Sequence, residues 1–376
     1  MDVATLTKTS SLLLPTGSYI YKIVPVEQHL AAISSDDSLR LVDPTYLQEL
    51  SSPRFSQVHA GVTCLETVAH DNHALCTAGR DAVAKCWDLR SGQTTAEFRD
   101  ESKAPFLSLC NSDYHCVVGT ELSHYQASVV LWDFRSPLRP IQQYVESHND
   151  DVTVVQFHPE KRGILLSGST DGLVNIYDMA QPAEDDALIQ VANHGSSINH
   201  ANFLSNSQFF AISHDENFSI YQLENVDESA AEAPRVFGDL RPQLECEYIV
   251  DVIPSLDSGE TILGAGSHSK QHLDLTPLRF ANNQWALDTN NALRLPGAHG
   301  EEIVRSLCFN PEAQTIFTAG EDGLIGAWLR AAAAGGNSQE HMLEADAYTI
   351  PSSSKKKKKR NSAGGEGMKA SRFKPY

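Results

Sequence analysis

A strand–turn–strand pattern recurs along this chain and restricts the available folds more than any other feature. The clearest copy runs from Leu75 to Arg90, where two apolar runs flank Gly79, Arg80 and Asp81. Glycine tolerates a positive φ and aspartate can hydrogen-bond its own backbone, so these three residues predict a tight turn. Similar stretches recur near residues 31, 165, 210 and 316. Self-similarity of this kind predicts a repeat architecture.

The spacing of the copies identifies the repeating unit. The aspartates that close four successive copies, Asp43, Asp88, Asp133 and Asp178, lie 45 residues apart. A period of about 40–45 residues is typical of one four-stranded blade of a β-propeller. At 376 residues, the chain is long enough for one closed ring of about six to eight blades. We therefore predict an all-β propeller.

Seven units can be drawn along the chain, and the sixth is degenerate. It reads GAGSHSKQHLDL, without the aromatic residue and the aspartate turn of the other units. An acidic insertion, Glu224–Pro234, follows the fifth unit, and extra residues, Glu121–Gln126, occupy the central turn of the third. The predicted units cover residues 18–50, 59–99, 104–146, 148–191, 194–223, 245–295 and 299–329.

The first apolar segment of the chain has no repeat of its own. The last unit is followed by LRAAAAGGNSQ, a poor strand sequence, so that unit lacks an outer strand. Because raw sheet edges promote aggregation, we predict that Thr5–Leu14 supplies the missing strand and closes the ring. Residues 1–330 then form a seven-bladed propeller. Residues 331–376, rich in Ala, Gly, Ser and Lys, are expected to form a disordered tail.

The motifs of these units resemble those of the WD40-repeat family. WDLR at Trp87–Arg90, WDFR at Trp132–Arg135 and IYDM at Ile176–Met179 match its closing motif. WD40 blades also carry a histidine near their start, a hydroxyl residue on the second strand, a turn aspartate and an aromatic residue. The resemblance implies a structural hydrogen-bond network formed by His59, Thr77, Asp81 and Trp87; by His148, Ser167, Asp171 and Tyr177; and by His299, Thr318, Asp322 and Trp328.

The same residue types suggest a hydrolase triad, but their recurrence argues against one. An active site needs a single triad, whereas this set is repeated around the ring. The chain has no P-loop, dinucleotide-binding or HExxH motif. His268, His272 and Asp274 lie in a segment that reads as turn and strand rather than as a metal site. We therefore predict that the protein is not an enzyme and uses no cofactor or metal.

Charge is distributed unevenly along the chain, whose net charge is −19. The residues from Arg330 onward carry ten basic and four acidic side chains, so the preceding 329 residues have a net charge of −25. A body this acidic repels nucleic acid and attracts basic partners. Acidic residues sit near the starts of several units, where the family resemblance implies loops on one face. The predicted partner-binding residues are Asp100, Glu101, Asp150, Asp151, Glu301 and Glu302.

Two further motifs, the WDxR segments and a basic run in the tail, suggest separate functions. The WDxR segments (Trp87, Asp88, Arg90 and Trp132, Asp133, Arg135) resemble the box through which some WD40 proteins dock on the adaptor of cullin-RING ubiquitin ligases. The tail contains the run KKKKKR, formed by Lys355, Lys356, Lys357, Lys358, Lys359 and Arg360. A run of this kind in a flexible segment is a nuclear localisation candidate recognised by importin.

The cysteines and the apolar segments of the chain predict the compartment in which the protein works. Seven cysteines without CxxC pairs predict core-filling thiols in a reducing compartment. No run approaches the ~20 apolar residues of a membrane span, and the first residues lack the pattern of a secretory signal. We predict a nuclear or nucleolar scaffold, with a cytoplasmic pool, that binds ribosomal proteins or histones during assembly. The alternative is a ubiquitin-ligase substrate receptor.

Overall fold

Runs of β-branched and aromatic residues, bounded by glycine and aspartate turns, form short antiparallel strands in the computed structural model of the chain. The structure describes residues 1–53, 55, 57–68, 71–112, 114–224, 233–254, 261–281, 284–310 and 313–330. The predicted disordered tail, its basic run and most of the acidic insertion lie outside the described residues, so those predictions stand as predictions.

One strand, β1 (Asp2–Ser10), precedes the repeating sheets. The first two four-stranded sheets comprise β2 (Ile20–Val26), β3 (His29–Ser34), β4 (Leu39–Asp43) and β5 (Gln48–Glu49), then β6 (Val62–Val68), β7 (Asp71–Gly79), β8 (Val83–Asp88) and β9 (Gln93–Arg99). The next two comprise β10 (Phe106–Asn111), β11 (His115–Thr120), β12 (Val129–Asp133) and β13 (Gln142–Tyr144), then β14 (Val152–Phe157), β15 (Ile164–Ser169), β16 (Leu173–Asp178) and β17 (Leu188–Asn193).

The fifth four-stranded sheet corrects the predicted boundary of its unit. It comprises β18 (Ile198–Ser205), β19 (Gln208–Ser213), β20 (Asn217–Gln222) and β21 (Arg235–Asp239). The unit does not end at residue 223, because its outer strand β21 lies beyond the acidic insertion. Helical segments are short: α1 (Glu184–Ala187), α2 (Leu240–Leu244) and a 3-10 turn (Thr289–Asn291). Within the described part of the chain, helices fall far short of the length and apolar character needed to span a bilayer.

The last eight strands join β1 in one nine-stranded sheet. They are β22 (Tyr248–Pro254), β23 (Thr261–Ser267), β24 (His272–Ala281), β25 (Gln284–Leu287), β26 (Leu293–Pro296), β27 (Val304–Asn310), β28 (Thr315–Gly320) and β29 (Ile325–Arg330). The degenerate sixth unit therefore has three full strands, and β25 and β26 share its outer position by pairing with different parts of β24.

The N-terminal strand completes the last unit, as predicted. β1 pairs antiparallel with β29 from Ala4 opposite Arg330 to Ser10 opposite Ile325. Its first residues also pair in parallel with β26, so β1 links the sixth and seventh units. The strand ends at Ser10 rather than at residue 14. Leu12 instead adopts a positive φ and packs into the core.

The core lies between neighbouring units rather than inside any one of them. Phe98 and Trp132, from the second and third units, belong to one buried cluster, and each other cluster likewise combines two successive units. One cluster joins Ile20 of the first unit to Phe317 of the last. Packing around the described residues therefore returns to its starting point. A closed ring of seven units is consistent with this arrangement.

One expectation about the cysteines is wrong. Cys76 on β7 and Cys86 on β8 are register partners and form a disulfide across the two strands. The prediction of seven free thiols failed because a repeat pattern carries no information on which core positions face each other. The remaining five cysteines are free and buried, as core-filling residues should be.

Candidate functional site

Histidine, hydroxyl and aspartate side chains meet in the second unit. His59 Nδ1 lies 3.0 Å from Asp81 Oδ1, and His59 Nε2 lies 2.8 Å from Thr77 Oγ1. Because a carboxylate only accepts, Nδ1 donates to Asp81 and Nε2 accepts from the threonine hydroxyl. Trp87 Nε1 donates to the same hydroxyl oxygen over 2.9 Å. Burial lowers the pKa of His59, which favours the neutral ring that this pattern requires.

The fourth unit repeats the arrangement. His148 contacts Asp171 over 3.0 Å and Ser167 over 2.7 Å, and the Tyr177 hydroxyl lies 3.2 Å from Ser167 Oγ. Burial alone would raise the pKa of Asp171, but the hydrogen bond and charge attraction from His148 and the hydrogen bonds from two backbone amides together outweigh it and lower that pKa. The hydroxyl of Ser167 is fully buried, so no substrate can reach it.

The seventh unit contains the third copy. His299 Nδ1 lies 2.7 Å from Asp322 Oδ1, its Nε2 lies 2.8 Å from Thr318 Oγ1, and Trp328 Nε1 donates to that oxygen over 2.9 Å. The glycine before the turn fits closely against the histidine, since a Cβ on Gly320 would lie 2.9 Å from His299 Nδ1. In these three units a buried histidine bonds a buried hydroxyl and a turn aspartate, and so holds a connecting loop against the turn, which is a structural role.

The fifth unit shows what happens when the hydroxyl is missing. Ala211 occupies that position, and His194 turns to the Tyr221 hydroxyl at 2.9 Å and to the Asn217 carbonyl at 3.0 Å. Asp215 instead accepts a 2.7 Å hydrogen bond from Ser196. The histidine and aspartate are therefore separately paired in this unit.

The antiparallel pairing separates the connections into two faces. At one end of the fourth unit Val152, which begins β14, lies opposite Ser169, which ends β15; at the other end Asp178 lies opposite Ile164. Neighbouring units are aligned, because Thr153 Oγ1 donates across the boundary to a carbonyl of the next inner strand. The first strand of each unit is its inner strand, and the fourth is its outer strand. The turn face consists of the connections from the outer strand of one unit to the inner strand of the next, together with the turns between the second and third strands. The other connections form the opposite face.

The two faces differ sharply in charge. In the described connections, the turn face carries eighteen acidic and four basic residues, and the opposite face carries seven and five. The acidic residues of the turn face are Asp36, Asp37, Asp81, Asp100, Glu101, Glu121, Glu146, Asp150, Asp151, Asp171, Asp215, Glu216, Glu245, Glu247, Glu301, Glu302, Glu321 and Asp322. Its basic residues are Arg80, Lys103, Arg241 and Lys270.

The six predicted partner-binding residues all lie on the turn face, with unequal exposure. Glu101, Glu301 and Glu302 are exposed, and Asp150 and Asp151 are half-buried. Asp150 and Asp151 belong to the fourth unit, whereas Glu301 and Glu302 belong to the seventh, so the two pairs do not form one cluster. Asp151 Oδ1 also accepts a 2.7 Å hydrogen bond from the backbone of Leu122 in the third unit.

Asp100 requires a correction. It is buried, and its carboxylate accepts hydrogen bonds from the Ser102 backbone at 3.1 Å and from Gln143 Nε2 at 2.8 Å, besides one from the Ser102 hydroxyl. Its role is to hold the loop that enters the third unit, so it is not available to a partner. The sequence could not separate it from its exposed neighbour Glu101.

The WDxR residues lie on the opposite face. Arg90 is paired with Asp88 at 3.1 Å, and Arg135 Nε donates to Asp133 over 2.9 Å. Hydrogen bonds from these arginines lower the pKa of each aspartate to about 2. The arginine side chains remain 64% and 72% exposed. The tryptophans do not share this exposure, since Trp132 is fully buried and Trp87 belongs to the structural network.

Sequence reasoning missed the lining of the central cavity. The seven inner strands enclose a cavity of about 340 Å³ that contains ionisable side chains. Lys22 and Glu66 form an ion pair at 2.5 Å across the first two units, and His200 Nδ1 lies 3.9 Å from Asp251. Burial opposes the charge of Lys22, but its attraction to and hydrogen bond with Glu66, together with its attraction to Asp251, outweigh burial and raise the pKa of Lys22. The sequence does contain a signal for this lining: polar residues occupy alternate positions of inner strands that are otherwise apolar.

The residues weighed as metal ligands are engaged elsewhere. His268 Nδ1 lies 2.7 Å from Glu247, and Asp274 accepts two hydrogen bonds from Arg294 at 2.8 and 2.7 Å. His272 Nε2 lies 3.5 Å from Asp274. Among the described residues, no group of three or more His, Cys, Asp or Glu side chains is placed to hold a metal ion.

The chain is similar to known repeat proteins over most of its length. The WD domain, G-beta repeat family model matches residues 51–88, 139–178 and 292–328. A WD repeat-containing protein of Saccharomyces cerevisiae is 33% identical, covering 83% of this chain and 78% of the yeast protein. A WD repeat-containing protein of Schizosaccharomyces pombe is 29% identical, covering 82% and 95%. The Dictyostelium discoideum homolog of WD repeat-containing protein 89 is 26% identical, covering 69% and 68%. The chain therefore belongs to the WD40-repeat family.

Proposed function

We propose that this protein is a noncatalytic platform that binds basic segments of other proteins at its turn face. WD40 propellers are generally noncatalytic, and the fold implies protein partners. The observation that carries the proposal is the excess of eighteen acidic over four basic residues in the described turn-face connections. A surface of this sign attracts cationic segments and repels the phosphates of nucleic acids.

The partners that fit this surface best are very basic proteins, such as ribosomal proteins or histones, before their assembly with nucleic acid. Such proteins carry long runs of lysine and arginine that need a counter-charge while they are free. Exposed carboxylates distributed around a ring, rather than one deep pocket, suit an extended partner with many cations. Glu101, Glu301 and Glu302 are the exposed residues predicted to provide them.

Charge reversal on matched faces tests the proposal. Glu301→Lys, Glu302→Lys and Asp150→Lys together should weaken binding of a purified core histone or basic ribosomal protein at least tenfold at ~0.1 M salt. Asp151 is left unchanged because its carboxylate bonds the Leu122 backbone. The control reverses Arg90 and Arg135 on the opposite face and should bind normally. Equal binding by all three proteins would reject the proposal.

We propose that the protein resides in the nucleus, including the nucleolus, with a cytoplasmic pool. The support is the run Lys355–Arg360, a six-residue basic segment of the kind that importin recognises. Deleting these six residues should leave a fluorescent fusion in the cytoplasm. A control deletion of residues 361–366 should remain nuclear. Unchanged nuclear signal after the first deletion would remove the basis for this localisation.

A second candidate function is that of a substrate receptor of a cullin-RING ubiquitin ligase. One observation favours it: the arginines of both WDxR motifs are largely exposed on the face that the acidic residues do not use. Docking there would leave the turn face free for a substrate. Arg90→Ala with Arg135→Ala should abolish capture of the ligase adaptor, whereas Arg139→Ala, an exposed neighbour, should not. Absence of adaptor capture by the unmodified protein would exclude this function.

A further inference from the structure

An exposed hairpin on the turn face carries an aromatic side chain that the fold does not use. In the third unit, the turn between β11 and β12 is lengthened to residues 121–128. Ser123 and Gln126 exchange two backbone hydrogen bonds of 2.9 and 3.0 Å, which closes a two-residue turn over His124 and Tyr125. The Tyr125 side chain at its tip is 98% exposed.

The conformation of this turn is unusual for its residues. His124 and Tyr125 have φ values of 52° and 67°, both in the left-handed region. Two-residue turns of this type normally use Asn-Gly, because bulky residues are strained there. Because the side chains of both residues are exposed, their burial does not offset the backbone strain of this turn. A surface function of the side chains would explain why these two residues occupy the turn.

The base of the hairpin is held firmly, so the tip has a defined position. Arg80 of the second unit forms a 2.7 Å ion pair with Glu121. The Glu121 backbone donates to the Pro105 carbonyl over 2.8 Å, and Leu122 donates to Asp151 of the fourth unit over 2.7 Å. Contacts to units on both sides pre-organise Tyr125, which reduces the entropy lost when a partner binds.

The other well-exposed tyrosines indicate what the Tyr125 ring can hold. Lys8 Nζ lies 5.2 Å from the ring centre of Tyr46, and the guanidinium of Arg135 lies 5.3 Å from that of Tyr114. Both rings are more than half exposed and are covered by a cation of the chain itself. Within the described residues, no cation lies over the Tyr125 ring.

We infer that Tyr125 is a cation-binding contact for an arginine- or lysine-bearing segment of a partner protein. The face of the ring attracts the cation, and Glu101 and Asp150, in the connections that enter the third and fourth units, add negative charge. Tyrosine is also enriched among the residues that contribute most to protein–protein binding. This inference rests on the proposed function and names the residue that recognises the cation at the turn face.

Binding of two labelled peptides to the full-length protein tests the inference. The probes are a fluorescent decapeptide of alternating arginine and serine, and the same peptide with glutamine in place of arginine. Tyr125→Ala should weaken binding of the arginine peptide by about three- to tenfold, whereas Tyr125→Trp should retain or improve it. Tyr125→Leu keeps apolar bulk without an aromatic face and should bind as weakly as the alanine variant. Tyr46→Ala, on the opposite face, should not affect binding.

A double variant separates binding from folding. His124→Asn with Tyr125→Gly introduces residues that favour this turn, so the melting temperature should be maintained or raised while peptide affinity falls.

Salt dependence distinguishes the two proposals. The turn-face charge reversals should flatten the dependence of affinity on salt, whereas Tyr125→Ala should leave that slope nearly unchanged.

The outcomes separate the inference from the proposed function. If the charge reversals weaken binding but Tyr125→Ala does not, the inference is overturned and the proposed function stands. The inference would also be overturned if the glutamine peptide bound as tightly as the arginine peptide, or if Tyr125→Leu bound the arginine peptide as tightly as the unmodified protein. Either result would show that the aromatic ring does not recognise a cation. If the unmodified protein binds neither peptide, the inference is rejected, and the binding test with a core histone or ribosomal protein decides the proposed function separately.

Discussion

The two faces of the ring use aspartate in different ways. On the turn face, Asp81, Asp171 and Asp322 each bind a buried histidine from a connecting loop. On the opposite face, Asp88 and Asp133 each bind an arginine two residues further along, in contact with solvent. One set joins distant parts of a unit, whereas the other closes a local turn. Residues that recur equally regularly in sequence can therefore differ widely in what they contribute.

The faces also differ in what they can offer a partner. On the turn face the histidines and hydroxyls of the structural networks are buried. Carboxylates that are exposed to solvent remain there, among them Glu101, Glu301 and Glu302. The described connections of the opposite face carry seven acidic and five basic residues, and the strand-end aspartates Asp88 and Asp133 are each paired with an arginine. A negative potential at one end of the ring follows from this difference, and the binding proposals depend on it.

The largest expected effect comes from opening the ring, because closure brings the connections of all units to a common face. Deleting residues 1–10 removes the strand that pairs with both β26 and β29 and exposes two sheet edges. We expect loss of cooperative thermal unfolding and aggregation, measured by circular dichroism and light scattering. The control Leu13→Ala changes a 92% exposed residue next to the strand and should behave normally. A deletion variant with an unchanged melting temperature would contradict this role of β1.

Removing the aspartate that bonds a buried network histidine should have the next largest effect. Asp171→Ala leaves His148 and the Asn149 backbone without their acceptor. An unsatisfied buried donor costs about 1–3 kcal/mol, which denaturant unfolding can measure. A loss well below this range would show that water or a rearranged histidine replaces the carboxylate.

A pH-dependent effect is expected at Glu216, a buried turn-face residue. Its Oε2 accepts a 3.1 Å hydrogen bond from the Ile249 backbone, and burial raises its pKa to about 7. Because the folded state holds this proton more tightly than the unfolded state, its contribution is present below about pH 4.5 and is lost as the pH rises through about 7. Glu216→Gln should therefore gain about 2–3 kcal/mol relative to the parent at pH 8 compared with pH 5.

Denaturant unfolding of both proteins at the two pH values measures this difference. Asp215→Asn, an exposed neighbour, serves as the control and should show a much smaller change. If the relative stability of Glu216→Gln is independent of pH, the carboxyl group does not titrate in this range.

The smallest effect is expected on the opposite face. Asp133→Ala removes an acceptor of an exposed arginine, and both groups can be solvated by water. The melting temperature should change by about 1–2 °C at most. A loss as large as that of Asp171→Ala would remove the distinction between the two faces.

The sequence predicted the features that depend on local repetition. The turn aspartate, the hydroxyl four residues earlier and the closing aromatic residue recur within short segments, and the family resemblance adds the histidine, so the network around His59, His148 and His299 could be predicted. The missing outer strand of the last unit also predicted the pairing of the N-terminal segment, although not its end at Ser10.

Features that depend on nonlocal contacts were not accessible. The outer strand β21 follows an insertion, and the outer position of the sixth unit is divided between β25 and β26. The burial of Asp100 and the Cys76–Cys86 disulfide depend on which strands face each other. Repetition identifies the unit, but the partners of a given side chain are determined by packing between units.

Cross-linking with a defined probe tests the central claim most directly. An arginine–serine peptide that carries a photoreactive group would be bound to the full-length protein at ~0.1 M salt, irradiated, and mapped by mass spectrometry. The account predicts cross-links to turn-face segments, such as those containing Glu101, Tyr125 and Glu301. Cross-links concentrated around Arg90, Arg135 and Leu138 on the opposite face would contradict it.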